Sequence, residues 1–136
     1  MKVLVDTDVW SAALRHKRRP ENESTRSELA TLVEDGRVAL IGPIRQELLS
    51  SLKERAQFDR LREHLRAFPD TEVTIDDYEE AASFFNRCRA KGIQGSNTDF
   101  LICAIAVRNG LSIFTMDDDF KHFARVLPIV LHLPSA

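Results

Sequence analysis

Residues 1–10 read Met1-Lys2-Val3-Leu4-Val5-Asp6-Thr7-Asp8-Val9-Trp10, and this stretch decides the fold. The apolar residues up to Val5 are continuous, not alternating, as in a strand buried on both faces of a parallel sheet. The run then stops on a carboxylate, Asp6, with a hydroxyl and a second carboxylate behind it. Ligands of open parallel sheets collect just beyond the carboxyl ends of the strands. Asp6 therefore stands where an α/β chain keeps its chemistry, and the remaining sequence is searched for carboxylates that reach the same edge.

Outward from this strand, helical and strand patterns alternate. Lys2 to Val5 reads as the first strand and Val9 to Leu14 as one or two helical turns, followed by the polar loop of residues 15–23. Ser24 is placed to cap a helix whose apolar face is Leu29, Leu32 and Val33 and which Gly36 ends. Val38 to Ile41 reads as a second strand. Pro43 suits the first position of a helix with Ile44, Leu48, Leu49 and Leu52 on one face, and Phe58, Leu61, Leu65 and Phe68 mark another before Pro69. Glu72 to Ile75 fits a third strand. Asp76 or Asp77 is then expected to cap a longer helix carrying Tyr78, Ala81, Ala82, Phe85 and Cys88. Thr98 to Asn109 is apolar on nearly all sides, the mark of a central buried helix. Asn109-Gly110 turns the chain into a fourth strand, Leu111 to Thr115, and Ile129 to Leu131 reads as a last one after an acidic turn. Alternation of this kind implies an α/β fold, a three-layer α/β/α sandwich on a central parallel sheet of about five strands.

The composition agrees and excludes several classes. At 136 residues, 43% apolar and 29% charged, the chain fits one domain spanning residues 1–136 with a substantial core. No apolar run approaches the roughly 20 residues of a membrane helix, and the opening residues do not form a secretory signal. Cys88 and Cys103 fall inside helical patterns, so a disulfide framework is not expected and a reducing cytoplasm is the simplest setting. A net charge of −2 argues against a general nucleic-acid coat, while leaving room for a local basic patch.

Four acidic residues fall where this fold converges its strand ends. They are Asp6 after the first strand, Glu47 on the helix after the second, Asp99 at the start of the buried helix and Asp117 after the fourth strand. Hard divalent cations such as Mg²⁺ and Mn²⁺ take oxygen ligands and keep several waters, so a few carboxylates suffice. Two such ions roughly 3.5–4 Å apart clamp the attacking and leaving oxygens of a phosphodiester displacement. Without a cation the same carboxylates repel one another and some stay protonated. Each residue alone also has an ordinary reading: Asp6 as a turn residue, Glu47 on a solvated face, Asp99 as a charge complementing a helix dipole. Asp99 resists that reading most, because a carboxylate on an apolar helix is expensive to bury without a partner.

Val3-Leu4-Val5-Asp6-Thr7 with Val9-Trp10, Gln46-Glu47-Leu48, Asn97-Thr98-Asp99 with Leu101-Ile102 and Ala104, and Phe114-Thr115 with Asp117 and Asp119-Phe120 occur in that order. Together they resemble the PIN domain, in particular the VapC-like ribonuclease toxins of prokaryotic toxin–antitoxin pairs, over residues 2 to about 131. The resemblance implies a parallel sheet of order 3-2-1-4-5 and a Mg²⁺- or Mn²⁺-dependent endoribonuclease that hydrolyses RNA by a two-metal mechanism, leaving 5′-phosphate and 3′-hydroxyl ends. It further implies a small VapB-like antitoxin partner and a homodimer. Carried over by position, Asp6, Glu47, Asp99 and Asp117 match the family's acidic quartet, Thr7 and Thr115 its hydroxyls beside the metals, and Asp119 a supporting acid. Two departures stand out: Asp8 occupies a position where the family usually has a small Ser, Asn or Thr, and Asp117-Asp118-Asp119 leaves the ligating member of the run open, with Asp117 preferred by its spacing from Thr115.

Other residues carry competing readings. Arg15, Lys17, Arg18 and Arg19, with His16, form the one dense basic run, either a grip on RNA phosphates or a solvated loop. Arg60, Arg62 and Arg66 fit a solvated helix face, and Trp10 fits the core better than a base-stacking platform. The four histidines are scattered, Ser96 and the cysteines lack a nucleophile's partners, and Gly92 and Gly95 do not form a phosphate loop. Two alternatives remain beside the nuclease: a catalytically inactive PIN-like module that binds RNA or protein, and a receiver-like domain, whose required lysine is matched only by the badly placed Lys121.

Overall fold

The computed structural model describes residues 1–14 and 19–134. The chain runs β1 (Val3–Val5), α1 (Thr7–Leu14), a 3₁₀ turn (Pro20–Asn22), α2 (Glu23–Glu34), β2 (Val38–Ala39), α3 (Gly42–Ser50), α4 (Arg55–Leu65), α5 (Ile75–Ala90), α6 (Asn97–Asn109), β3 (Ser112–Phe114) and α7 (Asp119–Phe123). The three strands are parallel in the order β2-β1-β3. All three residues of β1 are fully buried, as their continuous apolar run requires of a central strand. Helix α1 packs on α2 and α3, α3 on α4, and α5 along α6, which also meets β3. One apolar cluster joins the strands to α6, whose residues from Phe100 to Ala106 are all buried.

The expectation of about five strands is not met: among the described residues the sheet has three. Beyond them are single parallel bridges, Leu40 to Asp70 next to β2 and Ile113 to Leu131 beside β3; the expected third strand, Glu72 to Ile75, does not form, and Ile75 opens α5. A ladder needs free backbone groups, and here they are committed elsewhere. After Asp70, the Glu72 carbonyl accepts from the Arg108 guanidinium, and the Thr74 amide donates to the Asp77 carboxylate. Pro69 before the bridge has no N–H to offer, and neither have Pro128 and Pro134 around the other.

Helix starts differ from expectation for related reasons. Neither Asp76 nor Asp77 caps α5: Thr74 does, with Asp77 returning a hydrogen bond to the Thr74 amide in a capping box. Asp77 is 1% exposed and is held by a two-bond ion pair from Arg108 at 2.6 and 2.8 Å, which keeps its carboxyl below the usual range. Ser24 lies inside α2; Asn22 takes the cap position without a side-chain bond. Pro43 is preceded in α3 by Gly42. Gly110 ends α6 at φ 64°, a left-handed conformation that glycine adopts without a Cβ penalty, as the Asn109-Gly110 turn requires. Trp10 is in the core, edge-on to Phe68 at 5.4 Å. No helix among the described residues is long and apolar enough to cross a membrane.

Candidate functional site

The register of the sheet builds the acidic edge. Val5 pairs with Phe114, so Asp6 and Thr115 leave the sheet side by side, and the Asp6 amide donates to the Phe114 carbonyl at 2.9 Å. The Thr115 hydroxyl donates to Asp6 Oδ2 at 2.8 Å and accepts from the Asp117 amide at 3.0 Å, so one oxygen holds both acidic segments. Asp6 Oδ1 accepts from the Thr7 amide at 2.8 Å. The Thr7 hydroxyl in turn donates to Glu47 Oε2 at 2.8 Å, tying the second turn of α3 to the start of α1. Asp117 Oδ1 accepts from the Asp119 amide at 2.9 Å, so Asp119 supports Asp117 through its backbone while its own side chain is exposed.

Asp99 reaches this edge from the first turn of α6. Ser96 caps the helix by accepting the Asp99 amide at 3.0 Å, and Asp99 Oδ2 accepts from the Ser96 amide at 3.1 Å. The cap holds the group at a helix N-terminus, where the dipole favours negative charge. Phe100 and Phe123 pack at 4.8 Å, and Phe120 meets Phe123 at 5.1 Å, which fastens α7 and its acidic turn to the start of α6. Gly95 belongs to this contact: a Cβ there would lie 2.5 Å from Phe123 Cζ.

The electrostatics single out Asp6, Asp8 and Asp99. Burial pushes the Asp6 carboxyl up to about 6, with Asp8 and Asp99 adding repulsion against its Thr115 and Thr7 bonds. Burial also raises Asp8 and Asp99; Asp117 repels both, and Asp119 repels Asp99. The strongest charges acting on these carboxylates are other carboxylates. The Cys103 thiol behind them is raised by burial and by Asp99, Cys88 and Asp6, so it stays protonated and is no competing soft ligand.

The structure thus links all four sequence-predicted acids through hydrogen bonds or direct charge coupling. Among the described residues, however, no three His, Cys, Asp or Glu side chains are already set to hold a metal ion; the carboxylates instead accept from backbone and hydroxyl donors. The donor set itself fits a hard divalent cation: it is all oxygen, partly buried, and destabilised by its own charge. Of the basic run, Arg19 is exposed beside the 3₁₀ turn, while Arg15, Lys17 and Arg18 lie outside the described residues. Arg62 pairs with Asp59 and Glu63, and Arg66 with Glu63, as expected of a solvated face. A separate, largely apolar groove of about 670 Å³ opens between α1, α3 and α4, lined by Leu14, Leu48, Leu52 and Leu61 with Gln57 and His64.

Sequence reasoning missed two contributors. Ser96 was legible as the first residue of an S-x-x-D capping pattern. The second is the bond from the Met116 amide to Asp8, at 3.2 Å to each carboxylate oxygen, which joins residues 108 apart and has no local signature.

Comparison with known proteins places these features in a family. The family model described as the PIN domain matches residues 3–126. A VapC ribonuclease of Mycobacterium bovis and ribonuclease VapC11 of Mycobacterium tuberculosis are each 29% identical over 126 residues, covering 91% of this chain and 92% of the relative. Among solved structures, FitAcB from Neisseria gonorrhoeae superposes with a TM-score of 0.76 at 22% identity, covering 97% of each chain. VapBC2 from Rickettsia felis, bound to a promoter DNA fragment, gives 0.76 at 20% identity, covering 97% of this chain and 98% of that one. At these identities the structural likeness shows the fold.

Proposed function

The chain belongs to the PIN-domain family, and from that membership we propose that it is a Mg²⁺- or Mn²⁺-dependent endoribonuclease, the toxin of a VapBC-like toxin–antitoxin pair, formed by residues 1–136 as a single nuclease domain in the cytoplasm. One observation carries the reading. Acids from four separate segments are tied to the carboxyl edge of β1 and β3 by Thr7, Thr115 and a capped helix, and the charges that act on Asp6 and Asp99 there are those of neighbouring aspartates.

In this reading Asp6, Glu47, Asp99 and Asp117 hold the metal. When bound, divalent ions supply an activated water and neutralise charge on a phosphodiester undergoing in-line displacement. The chain's own part is placement. Thr115 aims Asp6 Oδ2 and steadies Asp117, Thr7 turns Glu47 toward α1, and the Ser96 cap fixes Asp99 at the end of a rigid buried helix. Arg19 and the preceding Arg15, Lys17 and Arg18 are proposed to attract the RNA backbone. Relatives named VapC ribonucleases support RNA as substrate, and the VapBC complex among the structural neighbours supports a VapB-like antitoxin partner. A homodimer belongs to the same proposal and is checked by light scattering.

The test is cleavage of structured cellular RNA by the purified, antitoxin-free chain with Mg²⁺, with Mn²⁺ and with EDTA, beside Asp99→Asn. Cutting that needs the metal and is lost in the variant is expected. Cutting that survives both EDTA and the substitution would sink the carboxylate reading. The inactive-module alternative is chosen if Mn²⁺ binds and no RNA is cut.

A further inference from the structure

The turn that carries Asp117 is held by two adjacent links, only one of which involves the quartet. The first is the Thr115 hydroxyl on Asp6. The second is the Met116 amide, which donates to both oxygens of the Asp8 carboxylate at 3.2 Å. Asp8 lies in the first turn of α1, two residues past Asp6, and is half-buried. Residues 115–117 lie outside strands and helices, and these two bonds, together with a side-chain contact of Asp8 with Thr115, tie the turn to the start of the chain around α1. Backbone N–H donors bind most tightly to charged acceptors, and the Asp8 carboxylate spans this one symmetrically.

We propose that Asp8 is a positioning residue: by clamping the Met116 amide it fixes the Asp117 turn against Asp6 and so sets the spacing of the acidic site. This deepens the nuclease reading and rests on it for its functional consequence. It also gives a physical use to the departure at this position. A carboxylate reaches the amide with two oxygens, whereas Ser or Thr would offer one shorter hydroxyl, and Asn one oxygen without charge.

The test compares the full chain with Asp8→Ala, which removes the acceptor, and Asp8→Asn, which keeps one oxygen and removes the charge. Amide hydrogen exchange is followed by NMR with EDTA present, and Mn²⁺ affinity by titration calorimetry. In Asp8→Ala the Met116 amide is expected to lose about tenfold or more of its protection while amides of α5 keep theirs, and Mn²⁺ affinity is expected to fall severalfold. Asp8→Asn is expected to recover most of both. Unchanged Met116 exchange or unchanged Mn²⁺ affinity in Asp8→Ala overturns the proposal. So does an Asp8→Asn chain that keeps Met116 protected yet loses Mn²⁺ affinity as far as Asp8→Ala, because the charge and not the clamp would then be acting. If Asp8→Ala does not fold, Asp8→Ser, which shortens the acceptor, replaces it. A wild-type chain that neither binds Mn²⁺ nor cuts RNA defeats the nuclease reading, and the exchange measurement still decides the clamp.

Discussion

Replacing Asp6 by Asn is expected to stabilise the fold in the absence of divalent metal, and the gain is expected to depend on pH. The Asp6 carboxyl is raised from 3.8 to about 6 in the folded chain, chiefly by burial and then by Asp8. A folded-state value above the unfolded one means that the native chain holds the proton more tightly, so the contribution of this group to stability falls as pH rises from 3.8 through about 6. Each unit is worth about 1.4 kcal/mol, so the ionised group costs about 3 kcal/mol once the pH is above the folded value. Asparagine removes that cost and still accepts from the Thr7 amide, while its NH₂ meets the Thr115 oxygen where Oδ2 now accepts. Allowing about 1 kcal/mol for the weakened Thr115 bond leaves a gain of about 2 kcal/mol at neutral pH.

The assay is urea unfolding in EDTA at about pH 7.5 and at about pH 4, between which the carboxyl changes protonation state. With a denaturant slope of about 2 kcal/mol per molar, the Asn variant should unfold about 1 M later at the higher pH. At the lower pH most of that advantage should vanish, because the wild-type group is then protonated. Adding Mn²⁺ should stabilise the wild-type chain and narrow the difference, since a ligand that binds only the folded state shifts the equilibrium toward it. A difference that is the same at both pH values, or a variant less stable at neutral pH, would refute the claim that Asp6 is a destabilising buried charge.

Ser96→Ala removes the hydroxyl that accepts the Asp99 amide and is expected to cost about 1 kcal/mol in urea unfolding, with a fall in Mn²⁺ affinity because the first turn of α6, which carries Asp99, is held less firmly. Gly95→Ala places a Cβ 2.5 Å from Phe123 Cζ and 3.0 Å from Phe100 Cε2; with Phe123 fully buried the rings have little room to yield, and a loss of about 1–3 kcal/mol is expected from denaturant midpoints. Arg108→Ala strips the buried Asp77 carboxylate of its ion pair and the Glu72 carbonyl of a donor, so the melting temperature is expected to drop at neutral pH and to drop less under acid, where Asp77 is protonated.

The centre of the fold was legible because its signals are local. Val3-Leu4-Val5 stops on a carboxylate, the apolar stretch from Phe100 to Ala106 cannot be solvated on any side, and Asn109-Gly110 turns where a left-handed residue is needed. The sheet edges were not legible. Glu72 to Ile75 has strand-like composition, but the Glu72 carbonyl is claimed by Arg108, and Thr74 is claimed by a capping box whose T-x-x-D spacing lies one step before the two aspartates expected to cap. The acidic site divides in the same way. Positions after strands and at helix starts were readable from pattern, while the bonds that orient them join Thr7 to Glu47, Thr115 to Asp6 and Met116 to Asp8, at separations of 40, 109 and 108 residues. No periodicity reports on such pairs; they follow from register, which appears only when β1 and β3 are laid side by side.

Register also explains why the four acids stay linked although the two outer segments form no strands. The hydroxyl of Thr115 can serve Asp6 only because Val5 and Phe114 are neighbours in a parallel pair, and β1 is the central strand of the sheet. Glu47 enters through Thr7, one residue beyond Asp6, and Asp99 through a helix buried against β3, so every acid is referred to β1 or β3 and none to an outer segment. A shift of one residue between β1 and β3 would put Asp6 opposite a different side chain and turn its neighbours to the other face. The full burial of Val3, Leu4, Val5 and Ile113 opposes that slip. The apolar core therefore stabilises the sheet and also holds the mutually repelling carboxylates at one edge, where burial, with repulsion from Asp8 and Asp99, has raised Asp6 to about 6.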